Sequence, residues 1–364
     1  MFESKSILAL DLGNRNLRGT ELVKKKNEIL LKKYFFQDMG IRNHRYPDDL
    51  NLEETLHICL DVHNLKHRPT VCGIDNLHIK SLDLVDFPIL PENELISAIE
   101  FELETKFSLK AKDISYDFYI LNSEVSGETS SQIIKIFYCE NSIIKEREKI
   151  LHNQKLKPVS IDLDILSIST MLGFNGYISE KYSYIIIDMG ETHTTVAFQV
   201  GMQVVSLTNV LVSLNHIHKV LNNKYNFDYL QTEECKNLLS TIDNTDNITN
   251  AENAENVKNT EALKTCHESY NEILDGIDVA INEYKPFFEK WRLKNIFLTG
   301  GGNEFLNCCE FFQNKYDIET ILPNPFKNIN IYKHNNISEN DLIITKPHMF
   351  SVSIGMALRE ILNK

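Results

Sequence analysis

The sequence has no excess of basic residues. Lys and Arg total 38 against 51 Asp and Glu, so the formal net charge is -13. Because binding to a phosphate backbone needs a basic face, this balance argues against a nucleic-acid partner. An acidic surface is not attracted to an anionic membrane leaflet either, and we expect no direct insertion into a membrane.

Long apolar runs, a signal peptide and paired cysteines are also missing. The apolar stretch nearest to a membrane span, 184–187, is interrupted by Asp188, and the start of the chain lacks the basic and apolar regions of a signal peptide. The seven cysteines show no metal-ligand spacing, even where Cys308 and Cys309 are adjacent. Buried reduced thiols are therefore favoured over a metal or redox site, and we expect a cytoplasmic protein.

An internal repeat is the most informative feature that is present. The segment 7–14, ILALDLGN, aligns with 184–191, YIIIDMGE. In each copy an apolar strand ends in Asp (Asp11 or Asp188), Gly follows two residues later, and a polar turn leads into a new strand. One copy alone is most simply a β-hairpin, but two copies together with the glycine run 300–302 favour a ligand site.

The chemistry of the repeat suits a nucleotide. Glycine lets the backbone approach a ligand closely, and a turn with successive N–H groups forms a nest for phosphate oxygens. An Asp at the end of the strand can hold Mg²⁺, usually through water. Two such turns that face each other would grip a triphosphate from both sides.

Seven segments, taken in order, resemble the actin-like ATPase superfamily and, within it, the PilM family of type IV pilus assembly proteins. They are similar to two phosphate loops, an adenosine motif, both ends of an inserted subdomain and two C-terminal segments. The two phosphate loops are 11–18 (DLGNRNLR) and 188–195 (DMGETHTT), and the adenosine motif is 298–302 (LTGGG). The ends of the inserted subdomain are 88–102 (PILPENELISAIEFE) and 156–164 (LKPVSIDLD). The two C-terminal segments are 324–326 (NPF) and 353–359 (SIGMALR).

The resemblance implies an α/β, actin-like (ribonuclease H-like duplicated) two-lobed fold with a small α+β inserted subdomain. We expect lobe I to comprise 1–81 and 157–182, with the inserted subdomain at 82–156. Lobe II is expected at 183–210 and 292–364, and a further subdomain at 211–291. The tract 241–260 is rich in Asn, Glu, Thr and Asp, so we expect an Asn-rich loop or an extended helix tip there.

The resemblance also implies ATP and Mg²⁺ as cofactors, bound between the lobes. The metal is expected at Asp11 and Asp188, through water. Asp162 corresponds to a residue that orients water for hydrolysis, although a helix-capping role before 165–171 is an open alternative. The implied nucleotide-binding residues are Asp11, Gly13, Asn14, Arg15, Asn16, Arg18, Asp188, Gly190, Thr192, Thr194, Thr195, Glu234, Lys236, Gly300, Gly301 and Gly302.

Several residues depart from the family pattern at positions where the change would affect ATP hydrolysis. The bulky residues 14–16 replace small ones, Arg18 stands where the family usually has Lys, and the family's glycine pair is missing from 210–213. Glu191 occupies a turn position where its carboxylate would repel phosphate unless Mg²⁺ or Arg18 lies close. We therefore expect nucleotide binding with slow or absent hydrolysis, at most a slow ATPase.

The implied partner is the cytoplasmic N-terminal segment of a PilN-like inner-membrane protein, which would recruit this chain to the membrane periphery. Other pilus platform proteins and self-association remain open. One alternative is a GspL-like component of type II secretion, which should continue into a transmembrane helix. Another is an FtsA-like division protein, which should end in an amphipathic helix. A sugar or acetate kinase is the third, and no substrate acid–base pair stands out for it.

Overall fold

The computed structural model describes residues 5–26, 28–39, 52–121, 131–240, 254–288, 290–304, 308–332 and 338–362. Its first sheet opens with the first copy of the repeat. The elements are β1 (Ser6–Leu12), β2 (Asn16–Lys25), β3 (Glu28–Asp38), α1 (Leu52–Val62) and β4 (Pro69–Ile74). β1 lies between antiparallel β2 and parallel β4, and six of its seven residues are buried because both faces of the sheet are covered.

The inserted subdomain is a three-stranded antiparallel sheet with a helix on one face. Its elements are β5 (Lys80–Pro88), α2 (Glu92–Phe107), β6 (Ile114–Ile120) and β7 (Ser131–Glu140), with the strand order β5-β7-β6. The helix starts after Pro91, and its i, i+4 row Leu95, Ile99 and Leu103 is buried in the subdomain core.

The boundaries predicted for the insert, 82–156, are wrong at both ends. Its first strand already begins at Lys80. The helix that follows β7, α3 (Asn141–Asn153), buries Ile150 and Leu151 in the same cluster as Leu8 and Leu10 of the first sheet. Apolar spacing alone could not reveal which core this helix joins.

The first sheet is completed from elsewhere in the chain. β8 (Lys157–Leu163) runs parallel to β4, and α4 (Asp164–Phe174) follows it without a loop. The second copy of the repeat then starts a second sheet of order β11-β10-β9-β12-β13. Its elements are β9 (Ser183–Met189), β10 (Thr194–Val200), β11 (Gln203–Val210), β12 (Leu293–Gly300) and β13 (Glu319–Ile321).

Helices pack on the outer face of the second sheet. They are α5 (Leu214–Tyr225), α6 (Tyr229–Ser240), α7 (Ala254–Phe288) and, after β12, α8 (Cys308–Tyr316). Residues 254–260 belong to α7, which agrees with the extended helix tip and not with the loop among the two alternatives expected for 241–260, whereas 241–253 lies outside the described residues.

The last segment returns to the first sheet, which corrects its assignment to lobe II. Its elements are β14 (Asn330–Ile331), α9 (Leu342–Thr345) and α10 (Ser351–Leu362). β14 pairs with β3, and α10 packs on α4, β1 and β2. The contact with α4 is tight at Gly355, where a Cβ would lie 1.9 Å from the Ser167 carbonyl oxygen.

One apolar cluster joins the two sheets. Ile7 and Ala9 of β1 share it with Tyr184 and Ile186 of β9, and residues of α4 and α10 fill the space between. Each large apolar side chain buried there contributes about 1.5–3 kcal/mol. The two repeats are thereby held so that both strands end at one cleft. Among the described residues, no helix is long and apolar enough to cross a membrane.

Candidate functional site

A cleft of about 350 Å³ lies where the two repeats end. The hairpins that line it have matching geometry: Asp11 pairs with Arg18 in the first, and Asp188 pairs with Thr195 in the second. Both turns depend on glycine because a Cβ on Gly13 would lie 2.9 Å from the Asn16 carbonyl oxygen. On Gly190 it would lie 2.8 Å from the carbonyl oxygen of His193.

Five aspartates face the cleft: Asp11, Asp38, Asp75, Asp164 and Asp188. All but Asp38 meet because each ends or follows a strand whose carboxyl end opens into the cleft, namely β1, β4 and β8, which are parallel in the first sheet, and β9 of the second sheet. Arg18 donates to Asp11 at 2.8 Å. Asp188 accepts a hydrogen bond from the Thr299 hydroxyl at 2.9 Å, while the Oδ1 of Asp164 has no hydrogen-bond partner among the described residues.

Burial and mutual repulsion disfavour ionisation of these carboxyls. Burial is the first cause that raises the pKa of Asp188, and the charge of Asp11 adds to it. The pKa of Asp164 is raised well above its ordinary value by burial and then by the charges of Asp11, Asp75 and Asp188. The cleft is therefore short of positive charge.

This shortage fits a divalent cation. Carboxylate oxygens are ligands that Mg²⁺ accepts, and Mg²⁺ usually keeps several waters when bound through one or two of them. In the described parts of the chain, no three His, Cys, Asp or Glu side chains converge as a metal site. The side chains of Asp11 and Asp188 thus fit an ion that retains water rather than one held in a closed protein cage.

The side chain of Arg15 extends from the turn of the first hairpin and connects the two lobes. Its guanidinium donates to Asp38 on β3 and, across the cleft, to Glu233 on α6, each at 3.0 Å. It also lies 5.0 Å from the ring centroid of Tyr229 and 3.7 Å from the Glu191 carboxylate. The cation that accompanies Glu191 is therefore Arg15 and not Arg18.

Glu233 is the centre of this bridge. Its carboxylate is bound by Lys236 at 2.6 Å and by His218 at 3.1 Å, in addition to Arg15. Burial alone would raise the pKa of Glu233, but the hydrogen bond from His218 and the cationic charges of Lys236 and Arg15 bring it well below the ordinary value. The Glu233 carboxylate therefore stays ionised, and its pair with Arg15 connects the two lobes at the mouth of the cleft.

A second interlobe contact joins the two phosphate loops directly. The amide of Asn14 donates to the Thr192 hydroxyl at 2.9 Å and to Asp75 at 3.2 Å. Deeper in the fold, the Asn76 amide donates to Thr195 at 3.3 Å and accepts from the backbone N–H of Ile165 at 3.2 Å. Both lobes are therefore coupled at the mouth and at the base of the cleft.

Comparison with known proteins identifies the family. The model of the type IV pilus assembly protein PilM family matches residues 10–361. The chain belongs to this family. No curated protein matches in sequence.

One solved structure superposes over nearly the whole chain. A PilM–PilN type IV pilus biogenesis complex superposes with a TM-score of 0.75 at 16% identity and covers 98% of each chain. MreB5 of Spiroplasma citri bound to AMPPNP follows with a TM-score of 0.49 at 12% identity, covering 98% of this chain and 96% of that one. The predicted actin-like α/β fold is confirmed.

Most of the nucleotide-binding residues implied by the PilM resemblance line the cleft. They are Asp11, Gly13, Asn14, Arg15, Asn16, Arg18, Asp188, Gly190, Thr192, Lys236, Gly300 and Gly301. The remaining four, Thr194, Thr195, Glu234 and Gly302, do not line it. Glu234 is exposed on α6 and its neighbour Glu233 faces the cleft instead.

Burial and close packing explain why three of these four residues do not line the cleft. Thr194 and Thr195 are fully buried within β10. A Cβ on Gly302 would lie 2.8 Å from the Met189 Cβ, so this glycine serves packing against the second hairpin. Asp162, expected to orient water, is also outside the cleft, where it pairs with Arg359 at 2.7 Å and accepts from Ser167 at 3.1 Å.

Asp164 occupies the place that Asp162 was expected to fill. The strand ends at Leu163, and the turn into α4 directs the next aspartate into the cleft. Sequence reasoning also missed Asp75, Glu233 and Asp38. For Asp75 and Asp164 a signal existed, since an Asp directly after a parallel strand lies at the same sheet edge as Asp11.

Proposed function

We propose that this protein is a nucleotide-binding scaffold of a type IV pilus inner-membrane platform, holding ATP with Mg²⁺ between its lobes. One observation carries the proposal: two glycine hairpins of the same geometry face a cleft that is lined by five aspartates and is short of positive charge. The hairpin backbones and Arg18 would hold phosphate oxygens, and Asp11 and Asp188 would hold hydrated Mg²⁺. Bound there, Mg²⁺ supplies the charge that neutralises phosphate and carboxylate together.

Slow turnover follows from the residues around the cleft. Arg15, which stands in the phosphate loop, is engaged by Asp38 and Glu233. Asp164 is the carboxyl placed to orient a water, and its raised pKa favours the protonated form, which does not accept the water's proton. The function is then a switch that responds to occupancy of the cleft rather than to rapid hydrolysis.

The proposed partner is the cytoplasmic N-terminal segment of a PilN-like membrane protein. Membership of the PilM family and the likeness to a chain solved in a PilM–PilN complex support this partner. Because the two lobes meet through Arg15 and Asn14, a nucleotide that changes their arrangement would alter the affinity for a partner that prefers one arrangement.

Thermal unfolding with ligands tests the nucleotide part. We expect ATP with Mg²⁺ to raise the midpoint, and ATP with EDTA to raise it less, because a ligand that binds the folded state stabilises it by mass action. Pull-down with a synthetic PilN N-terminal peptide tests the partner part, with a scrambled peptide as control. A clean negative with the peptide would overturn the proposed partner.

A further inference from the structure

Cationic side chains gather at the end of the first sheet that lies farthest from the cleft. β1, β4 and β8 are parallel and all end toward the cleft, so they begin together at the opposite end. The hairpin between β2 and β3 turns there as well, because β2 is antiparallel to β1. We call the following set the basic edge: Lys5, Lys24, Lys25, Lys26, Lys66, Arg68, Lys155 and Lys157.

Backbone hydrogen bonds place these residues side by side. The N–H of Lys24 donates to the carbonyl of Lys5 at 3.0 Å, and that of Lys157 donates to the carbonyl of Arg68 at 2.9 Å. The edge crosses the sheet from β3 to β8, four interstrand spacings or about 19 Å. This exceeds the Debye length of about 8 Å at physiological ionic strength, so one small anion cannot engage the whole edge.

Much of this charge is not compensated. Lys24, Lys25, Lys26, Lys155 and Lys157 lie in no ion pair within the described parts of the chain, and all but Lys24 are exposed. The remaining three cations pair with Glu360, Asp61 and the buried Glu21. With Glu28 counted too, the described residues leave an excess of four positive charges in a chain of net charge -13.

The second sheet repeats the arrangement on a smaller scale. Lys181, Arg292 and Lys294 are exposed at the starts of β9 and β12, again away from the cleft. Two aromatic rings accompany them: Arg292 and Lys294 lie 5.8 and 5.0 Å from the ring centroid of Tyr182, and Trp291 is half-buried beside them. Tyr and Trp next to cations are typical of surfaces at a membrane–water interface.

We propose that the basic edge binds the anionic phospholipid headgroups of a membrane surface. An extended plane of charge can meet cations beside β1, β2, β4 and β8 at once, and lysine attracts headgroups as a mobile point charge without a built pocket. A flexible nucleic acid would also meet the acidic remainder of the chain, which repels it. The net charge that argued against membrane attraction therefore does not describe this edge.

This inference goes beyond the proposed scaffold function and does not depend on nucleotide or partner. If a membrane-anchored partner binds the chain, the edge adds a second weak contact, and the two together bind more strongly than either alone. Vesicles without any partner peptide test the edge by itself, so failure here leaves the partner proposal standing.

The experiment is vesicle co-sedimentation of the full chain. The two probes are vesicles of phosphatidylcholine alone and of phosphatidylcholine with about one-third phosphatidylglycerol. The test variant carries Lys25→Gln, Lys26→Gln, Lys155→Gln and Lys157→Gln, four exposed lysines of the edge. The control variant removes the same charge at exposed positions elsewhere: Lys80→Gln, Lys110→Gln, Lys219→Gln and Lys264→Gln.

We expect the wild type and the control variant to bind the anionic vesicles, and the test variant to bind them at least about tenfold more weakly. Binding should be lost in 0.5 M salt and absent with phosphatidylcholine alone. Equal binding to both vesicles, an equal loss in the control variant, or displacement from vesicles by a DNA duplex would overturn the proposal. Matching thermal unfolding midpoints of the variants would establish that all are folded.

Discussion

Arg15 and Glu233 join the two lobes across the mouth of the cleft, with Nη2 of the arginine 3.0 Å from Oε2 of the glutamate. Arg15 comes from the turn of the first repeat, and Glu233 from a helix that packs on the second sheet. The turn of the first repeat thus forms a contact between the lobes in addition to lining the cleft.

Replacement of Arg15 tests this contact. Arg15→Ala should lower the free energy of unfolding by about 1–2 kcal/mol, because it removes a partly buried ion pair and leaves Asp38 and Glu233 without that partner. Denaturant unfolding measures the change. Arg292→Ala, which removes an exposed arginine far from the cleft, should stay within about 0.5 kcal/mol. Equal losses in the two variants would contradict the role of Arg15.

The raised pKa of Asp164 makes the free energy of unfolding depend on pH. Its pKa is raised above the ordinary 3.8, so the folded state binds a proton here more readily than the unfolded state. The contribution of this group to stability is complete below 3.8 and is lost as pH rises through the folded pKa. At pH 7 the wild type therefore carries a destabilising, repelled carboxyl group.

Asp164→Asn should consequently raise the free energy of unfolding at pH 7 by about 1 kcal/mol or more, since it removes a group that ionises more readily in the unfolded state than in the folded state. The gain should shrink when the same measurement is made near pH 5. Asp113→Asn, at an exposed aspartate outside the cleft, is the control and should change the free energy of unfolding by less than about 0.5 kcal/mol. A loss of stability in Asp164→Asn at pH 7 would refute this reasoning.

Substitutions at two nearby residues of α6 should differ strongly in their effect on nucleotide binding. Lys236 is buried and lines the cleft, whereas Glu234 is exposed and does not. Lys236→Met should weaken the binding of an ATP analogue about tenfold or more, the worth of one charge-assisted hydrogen bond. Glu234→Gln should bind as the wild type does. Fluorescence titration distinguishes them, and equal affinities would mean that this side of the cleft is not used.

The hairpin glycines should not tolerate a side chain. Gly13→Ala and Gly190→Ala each place a Cβ less than 3.0 Å from a backbone carbonyl oxygen, so the turn must shift and its N–H groups lose their common direction. We expect nucleotide binding to fall at least tenfold in each. Gly173→Ala is the control, because Gly173 lies in α4 outside the cleft and the nearest contact of its Cβ would be the flexible end of the Met202 side chain. Normal binding by both hairpin variants would contradict the phosphate nest.

The sequence predicted local elements better than their placement. The duplicated strands and the helix 351–362 were predictable because they follow from apolar runs and periodicity. The periodicity did not predict which sheet α10 or α3 would pack on, because an apolar helix face fits either core. Tertiary contacts decided both, as the close approach of Gly355 to Ser167 illustrates.

The site was predictable at its two hairpins and less so around them. Asp11 and Asp188 were found because each ends a copy of the repeat. Asp164 and Glu233 were missed by one or two positions, because a strand-to-helix junction and a helix rotation determine which side chain enters the cleft. The Arg15–Glu233 pair spans 218 residues of sequence, and no local pattern announces it.

Equilibrium titration with a non-hydrolysable ATP analogue tests the central claim most directly. Isothermal calorimetry would compare the wild type with and without Mg²⁺, and both with Asp188→Asn, which removes one of the two carboxylates assigned to the hydrated ion. We predict saturable binding to one site, weakened by removal of Mg²⁺ and by Asp188→Asn. No saturable binding at millimolar nucleotide, or binding that neither change affects, would contradict the account.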